Sequence, residues 1–139
     1  MRNQVLLFFA HAPPSVGDLL LRALAPAGYA GRWAANEREM LTLAQNQRSG
    51  LLLLDFNWPL RRTLNALEQL QAVNAFVPVI LITEQRIRFE RAVAGRVAAL
   101  IHKPFAVSLL LRTMGAVLNP LSEAAQPGVV TPPAQIPSP

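Results

Sequence analysis

Apolar residues in this chain fall into two rhythms. Val5-Leu6-Leu7-Phe8-Phe9-Ala10, Leu51-Leu52-Leu53-Leu54, Val79-Ile80-Leu81-Ile82 and Ala98-Ala99-Leu100-Ile101 are unbroken runs. Successive side chains of a strand point to opposite faces, so a run with no polar alternation is a strand covered on both sides. Such strands belong to parallel sheets sandwiched between helices. A weaker, more polar stretch over residues 29–35 predicts a fifth strand nearer an edge.

Between these runs the spacing changes to three and four. Val16, Leu19, Leu20, Ala23 and Leu24 predict a helix buried through that face, ended by Pro26-Ala27-Gly28. Asn36 with Glu39 forms a capping-box-like start for a helix reaching about Asn46, with Met40, Leu41, Leu43 and Ala44 inward. Leu60, Leu64, Leu67 and Leu70 mark a third helix after Pro59. Residues 86–94 read as a short basic helix stopped by Gly95, and residues 107–118 as the last one. Strands alternating with helices predict an α/β fold, a (βα)5 doubly wound parallel five-stranded sheet over residues 1–118.

From residue 119 to 139 the pattern stops. That segment holds six of the twelve prolines, no aromatic residue and one charge, so it is expected to be a disordered tail or linker. Over the whole chain 52% of residues are apolar and 15% charged, enough for an ordinary core. The net charge is +5, but the arginines are scattered and aromatics few, which argues against nucleic acid as the partner of this chain alone. With no cysteine there is no disulfide, thiolate metal site or thiol chemistry. Residues 5–10 are too short an apolar run for a membrane span. A cytoplasmic protein without a membrane segment is the expectation.

Parallel strands bring their C-terminal residues to one rim, where open α/β sheets place ligands and chemistry. Reading those ends gives His11 and Ala12, then Asp55, Thr83 and Lys103. Leu54-Asp55 with Pro59 four residues on, Pro78-Val79-Ile80-Leu81-Ile82-Thr83, Lys103-Pro104-Phe105 and Ala27-Gly28-Tyr29 together carry a resemblance. Over roughly residues 3–118 the chain resembles the receiver domain of two-component response regulators, the CheY-like superfamily. The resemblance implies strand order 2-1-3-4-5 and a phosphoacceptor position at Asp55, served by a histidine kinase. It also implies phosphate-pocket positions at Thr83, Lys103 and Pro104, with a cis Lys-Pro bond.

The sequence departs from that pattern where metal is held. The family's two acidic residues after the first strand fall on His11 and Ala12, neither a hard oxygen ligand. The switch aromatic three residues before the lysine is Leu100, and no Asp-Gly pair follows Pro59. Mg²⁺ binding is therefore expected to be weak or absent, with no other metal or cofactor. His11 is expected to fill the space beside Asp55 and hold its second oxygen, Lys103 holding the first. His102, one residue before Lys103, is expected to point away from that rim.

No Gly-rich phosphate loop, acid/base carboxylate pair or Ser-His-Asp set is present, so the chain is not expected to be an enzyme. The favoured expectation is a pseudo-receiver that signals through protein–protein contact independently of phosphorylation. Its homodimer or partner face would be the fourth helix, fifth strand and fifth helix, with Ile87, Phe89, Leu110 and Met114. The alternatives are a single-domain response regulator phosphorylated at Asp55 and the N-terminal regulatory part of a transcription or antitermination regulator.

Overall fold

A computed structural model describes residues 3–84 and 87–119, the side chains of residues 87 and 88 excepted. The strands are β1 (Asn3–Phe9), β2 (Tyr29–Trp33), β3 (Leu51–Asp55), β4 (Val79–Thr83) and β5 (Ala99–His102). Between and after them lie α1 (Pro14–Leu24), α2 (Glu37–Gln45), α3 (Leu60–Val73), α4 (Ile87–Val93) and α5 (Val107–Leu118). The five strands form one sheet in the order β2-β1-β3-β4-β5, every pairing parallel. The leucine run is thus the middle strand, and the more polar residues 29–33 occupy an edge, as their composition predicts.

The pleat sorts the core into two layers. Leu6, Phe8, Leu52, Leu54, Leu81 and Leu100 pack with α2, α3 and α4 on one side. Val5, Leu7, Phe9, Leu51, Leu53, Ile80, Ile82, Ala99 and Ile101 pack with α1 and α5 on the other. Each β3 leucine is at most 1% exposed because its neighbours in sequence serve opposite layers.

The helix starts follow local chemistry. Asn36 Oδ1 accepts from the Glu39 N–H at 2.9 Å, while Glu39 Oε1 reaches back to the Ala35 N–H at 2.7 Å. That is a capping box closed one residue earlier than the usual form. Pro14 occupies the first turn of α1, where its missing N–H costs nothing.

Helix α1 departs from the expected face. Val16 and Leu19 are exposed, at 36% and 64%, and the buried residues are Gly17, Leu20 and Leu24. Trp33 of β2 lies so close over Gly17 that a Cβ there would sit 2.2 Å from its ring. The missing side chain is what lets the helix settle on this flank. Among the described residues no helix is long and apolar enough to cross a membrane. Of the expected proline-rich tail, residues 120–139 lie outside the described residues.

Candidate functional site

At the C-terminal rim β3 ends on Asp55, β4 on Thr83 and β5 on His102, with Lys103 next. The parallel register brings them side by side: Thr83 pairs His102, and the Lys103 N–H donates to the Thr83 carbonyl at 2.9 Å. Phe9 pairs Asp55 across β1 and β3, and the Ala10 N–H donates to the Asp55 carbonyl at 2.9 Å. Asp55 and Thr83 are buried, at 8% and 2% exposure.

The centre of the site is an ion pair. Lys103 Nζ donates to Asp55 Oδ2 at 2.8 Å. The same ammonium stands 3.4 Å from Glu84 Oε2, on the first residue beyond β4. Lys103, the chain's single lysine, is therefore shared between two carboxylates. Burial pushes the Asp55 carboxyl above its ordinary range, and the Lys103 hydrogen bond only partly offsets it. For Lys103, burial acts downward, but the Asp55 bond and the Glu84 carboxylate outweigh it and hold the ammonium above its usual value. The desolvation cost of the pair falls on its more buried member, the aspartate.

Asp55 Oδ1 is buried and hydrogen-bonded to nothing among the described residues. This corrects the expectation for His11. The chain turns at once after β1, with the Ala12 N–H donating to the Phe9 carbonyl at 3.3 Å, and His11 is carried outward to an exposed position. His11 acts on Asp55 only through charge, as a minor lowering influence on its carboxyl. Ala12 is half-buried beside the α1/α5 layer.

The other positions fall as follows. The Lys103–Pro104 bond is cis, as the resemblance implied. Leu100 is fully buried in the layer of α2, α3 and α4. His102 does point away from the His11 rim: its Nε2 meets Oε1 of Glu90 on α4 at 2.5 Å, and Glu90 is 7% exposed. Beyond Asp55, Phe56 and Trp58 stack at 4.5 Å with planes 9° apart, and the Arg62 guanidinium lies 3.8 Å over the Trp58 ring. Arg62 also meets Glu37 of α2 at 3.6 Å.

Three residues of the expected interaction face are not on a surface. Phe89, Leu110 and Met114 are core residues, at 8%, 0% and 0% exposure, because α4 and α5 turn them against the sheet. The Ile87 side chain lies outside the described residues. Glu84 and Glu90 were missed. Glu84 had a signal, adjacency to a strand-end hydroxyl, whereas nothing in the sequence of α4 singles out Glu90 as the acid that turns inward.

The hard-oxygen donors at this rim are few. The positions after β1 offer an exposed imidazole and a methyl group, and among the described residues no three of His, Cys, Asp and Glu cluster as metal ligands would. A cavity of about 160 Å³ lies at the far end of β1 near Gln4, Arg32 and Gln47, away from Asp55.

Comparison with known proteins places this geometry. The family model described as the response regulator receiver domain matches residues 13–114. The chemotaxis response regulator CheY4 of Vibrio cholerae superposes with a TM-score of 0.70 at 24% identity, over 85% of this chain and 100% of that one. A CheY-like receiver domain protein from Methanospirillum hungatei gives 0.75 at 20% identity, over 86% and 96%. The receiver domain of the sensor histidine kinase PA1611 from Pseudomonas aeruginosa, solved with magnesium coordinated in its active-site cleft, gives 0.70 at 20% identity, over 86% and 99%. A search of curated proteins finds no match.

Proposed function

Because the chain belongs to the response regulator receiver domain family, we propose that it is a pseudo-receiver, a two-component signalling module that works by docking a protein partner without phosphorylation of Asp55. The observation that carries this reading is the shared ammonium: Lys103 already bridges Asp55 and Glu84. Among the described residues the two carboxylates outnumber the one ammonium they share, an unfavourable place for a phosphoryl dianion.

The residues present do not fit Mg²⁺. A hard cation of this kind needs several oxygen ligands in near-octahedral array, and the rim supplies one buried carboxylate whose outer oxygen is committed to Lys103. In-line phosphoryl transfer relies on cationic groups that neutralise the charge developing on the phosphoryl oxygens, and here the Lys103 ammonium is divided between two carboxylates. The buried Leu100 adds to this, since a leucine at the switch position has no ring to swing between states. Asp55 is then a structural carboxylate and not a phosphoacceptor. The module is cytoplasmic, without catalytic activity of its own, and its partner is another protein of the signalling pathway.

Incubation with acetyl phosphate and millimolar Mg²⁺, followed by intact-mass spectrometry, tests this. No phosphoryl adduct is expected. Stoichiometric incorporation at Asp55 would overturn the reading and establish a working single-domain phosphoacceptor instead. A companion result is expected for Asp55→Asn. It removes a charge that burial disfavours and leaves Lys103 with Glu84, so stability should change by less than about 1 kcal/mol in urea denaturation.

A further inference from the structure

Helix α1 carries two stripes. Gly17, Leu20 and Leu24 are buried, with Trp33 over Gly17 and Leu21 against Gly31, so one flank of the helix is committed to β2. Val16, Leu19 and Ala23 recur at three and four residues on the other flank and are all exposed. Leu19 is 64% exposed, more than any other large hydrophobic helix residue whose side chain is described. Beside this stripe, one turn apart, stand Asp18 and Arg22, both exposed. Among the described residues neither joins an ion pair, although their spacing would allow them to meet each other.

We propose that this face of α1 binds a second copy of the chain, helix against antiparallel helix across a two-fold axis. The pattern is self-complementary when the axis passes level with Leu20. Leu19 then lies about 3 Å along the axis from the partner's Leu19, given the rise of 1.5 Å per residue. Val16 lies against the partner's Ala23 and Ala23 against the partner's Val16. Asp18 comes level with the partner's Arg22, and the symmetry makes that charge pair twice.

Charge complementarity is what selects this occupant. An isologous contact requires one patch to contain both halves of each pair, and the Asp18–Leu19–Arg22 sequence does. The patch is one helix face, well below the area of a stable obligate interface, so the dimer is a weak one with a dissociation constant on the order of 100 µM. The contact is independent of the state of Asp55.

Sedimentation equilibrium of the full chain from 10 µM to 1 mM reads the association directly. Leu19→Glu, an exposed position that leaves the fold intact by circular dichroism, is expected to remain monomeric throughout. Asp18→Arg alone and Arg22→Asp alone each place like charges together twice and are expected to weaken association about tenfold. The double variant Asp18→Arg/Arg22→Asp restores both pairs and is expected to return to within threefold of the parent. A monomeric parent at 1 mM overturns the proposal. So does a dimer untouched by Leu19→Glu, which would put the contact on another face, or a double variant no better than the singles.

Discussion

Replacement of Gly50 by Ala is expected to lower stability by about 3 kcal/mol or more, the sum of a strained backbone and a close contact. Gly50 has φ of 85°, in the left-handed region that side-chain-bearing residues avoid. Its Cβ would also sit 1.7 Å from the Gln4 carbonyl oxygen and 2.6 Å from the carbonyl carbon. That obstacle is the backbone of β1, which cannot swing aside as a flexible side chain can. The loop is fixed there by Gln47, whose Nε2 lies within hydrogen-bonding distance of the carbonyls of Gln4, Ser49 and Leu51 at 3.3, 2.9 and 3.1 Å. A small domain is stable by roughly 5–15 kcal/mol, so the urea midpoint should fall by a large fraction. Gly95→Ala provides the control: its Cβ meets nothing within 4 Å, and its φ is not positive. Stability there should shift by no more than about 0.5 kcal/mol. Equal effects at the two glycines would remove the steric account.

Replacement of Lys103 by Ala is expected to cost about 2 kcal/mol at neutral pH, because it leaves a buried charge without its partner. The loss should depend on pH in a defined direction. Asp55 is already raised by burial, with Lys103 the main influence pulling it back. Without the ammonium the folded-state carboxyl rises further above its unfolded value. The folded variant then binds a proton more readily than the unfolded chain, and its stability increases as pH falls through that raised value. The deficit should be full at pH 7 and shrink towards pH 4, as measured by urea midpoints of parent and variant at each pH. The Glu84 contact contributes little on this scale, since that side chain is 61% exposed and its pairing is screened by solvent. A pH-independent loss would mean that Lys103 acts through packing of its stem and not through charge.

The fold was legible because β3 and β4 have no polar interruption and each run ends on a chemically distinct residue. Asp55, Thr83 and Lys103 could be brought together on paper once the strands were taken as parallel, since parallel strands share a rim. Helix α1 was misread in part, for a definable reason. The expected face joined Val16, Leu19, Leu20, Ala23 and Leu24; Leu20 and Leu24 are buried as read, but Val16, Leu19 and Ala23 are exposed and Gly17 completes the buried flank. Glycine adds nothing to a count of apolar residues, yet Gly17 is where Trp33 makes contact. His11 was misplaced because it lies beyond the turn that ends β1, where strand alternation no longer says which way a side chain points. Phe89, Leu110 and Met114 were assigned to a surface, but each sits at a helical position facing the sheet. The Lys103–Glu84 and His102–Glu90 pairs each join residues 12 or more apart through the folded sheet, and no local pattern announces them.

The two tryptophans stand on opposite sides of the sheet. Trp58 belongs to the layer under α2, α3 and α4, stacked on Phe56. Trp33 packs in the layer under α1 and α5, 5.5 Å from Phe9. Nature has thus placed one fluorophore in each half of the core. Trp33→Phe and Trp58→Phe turn the chain into a pair of optical probes, each blind to the layer that the other reports. Emission midpoints that coincide during urea titration would mean the middle strands bind both layers into one cooperative unit. Separated midpoints would identify the layer that lets go first, and with it the helices free to rearrange while the remainder of the domain stays folded.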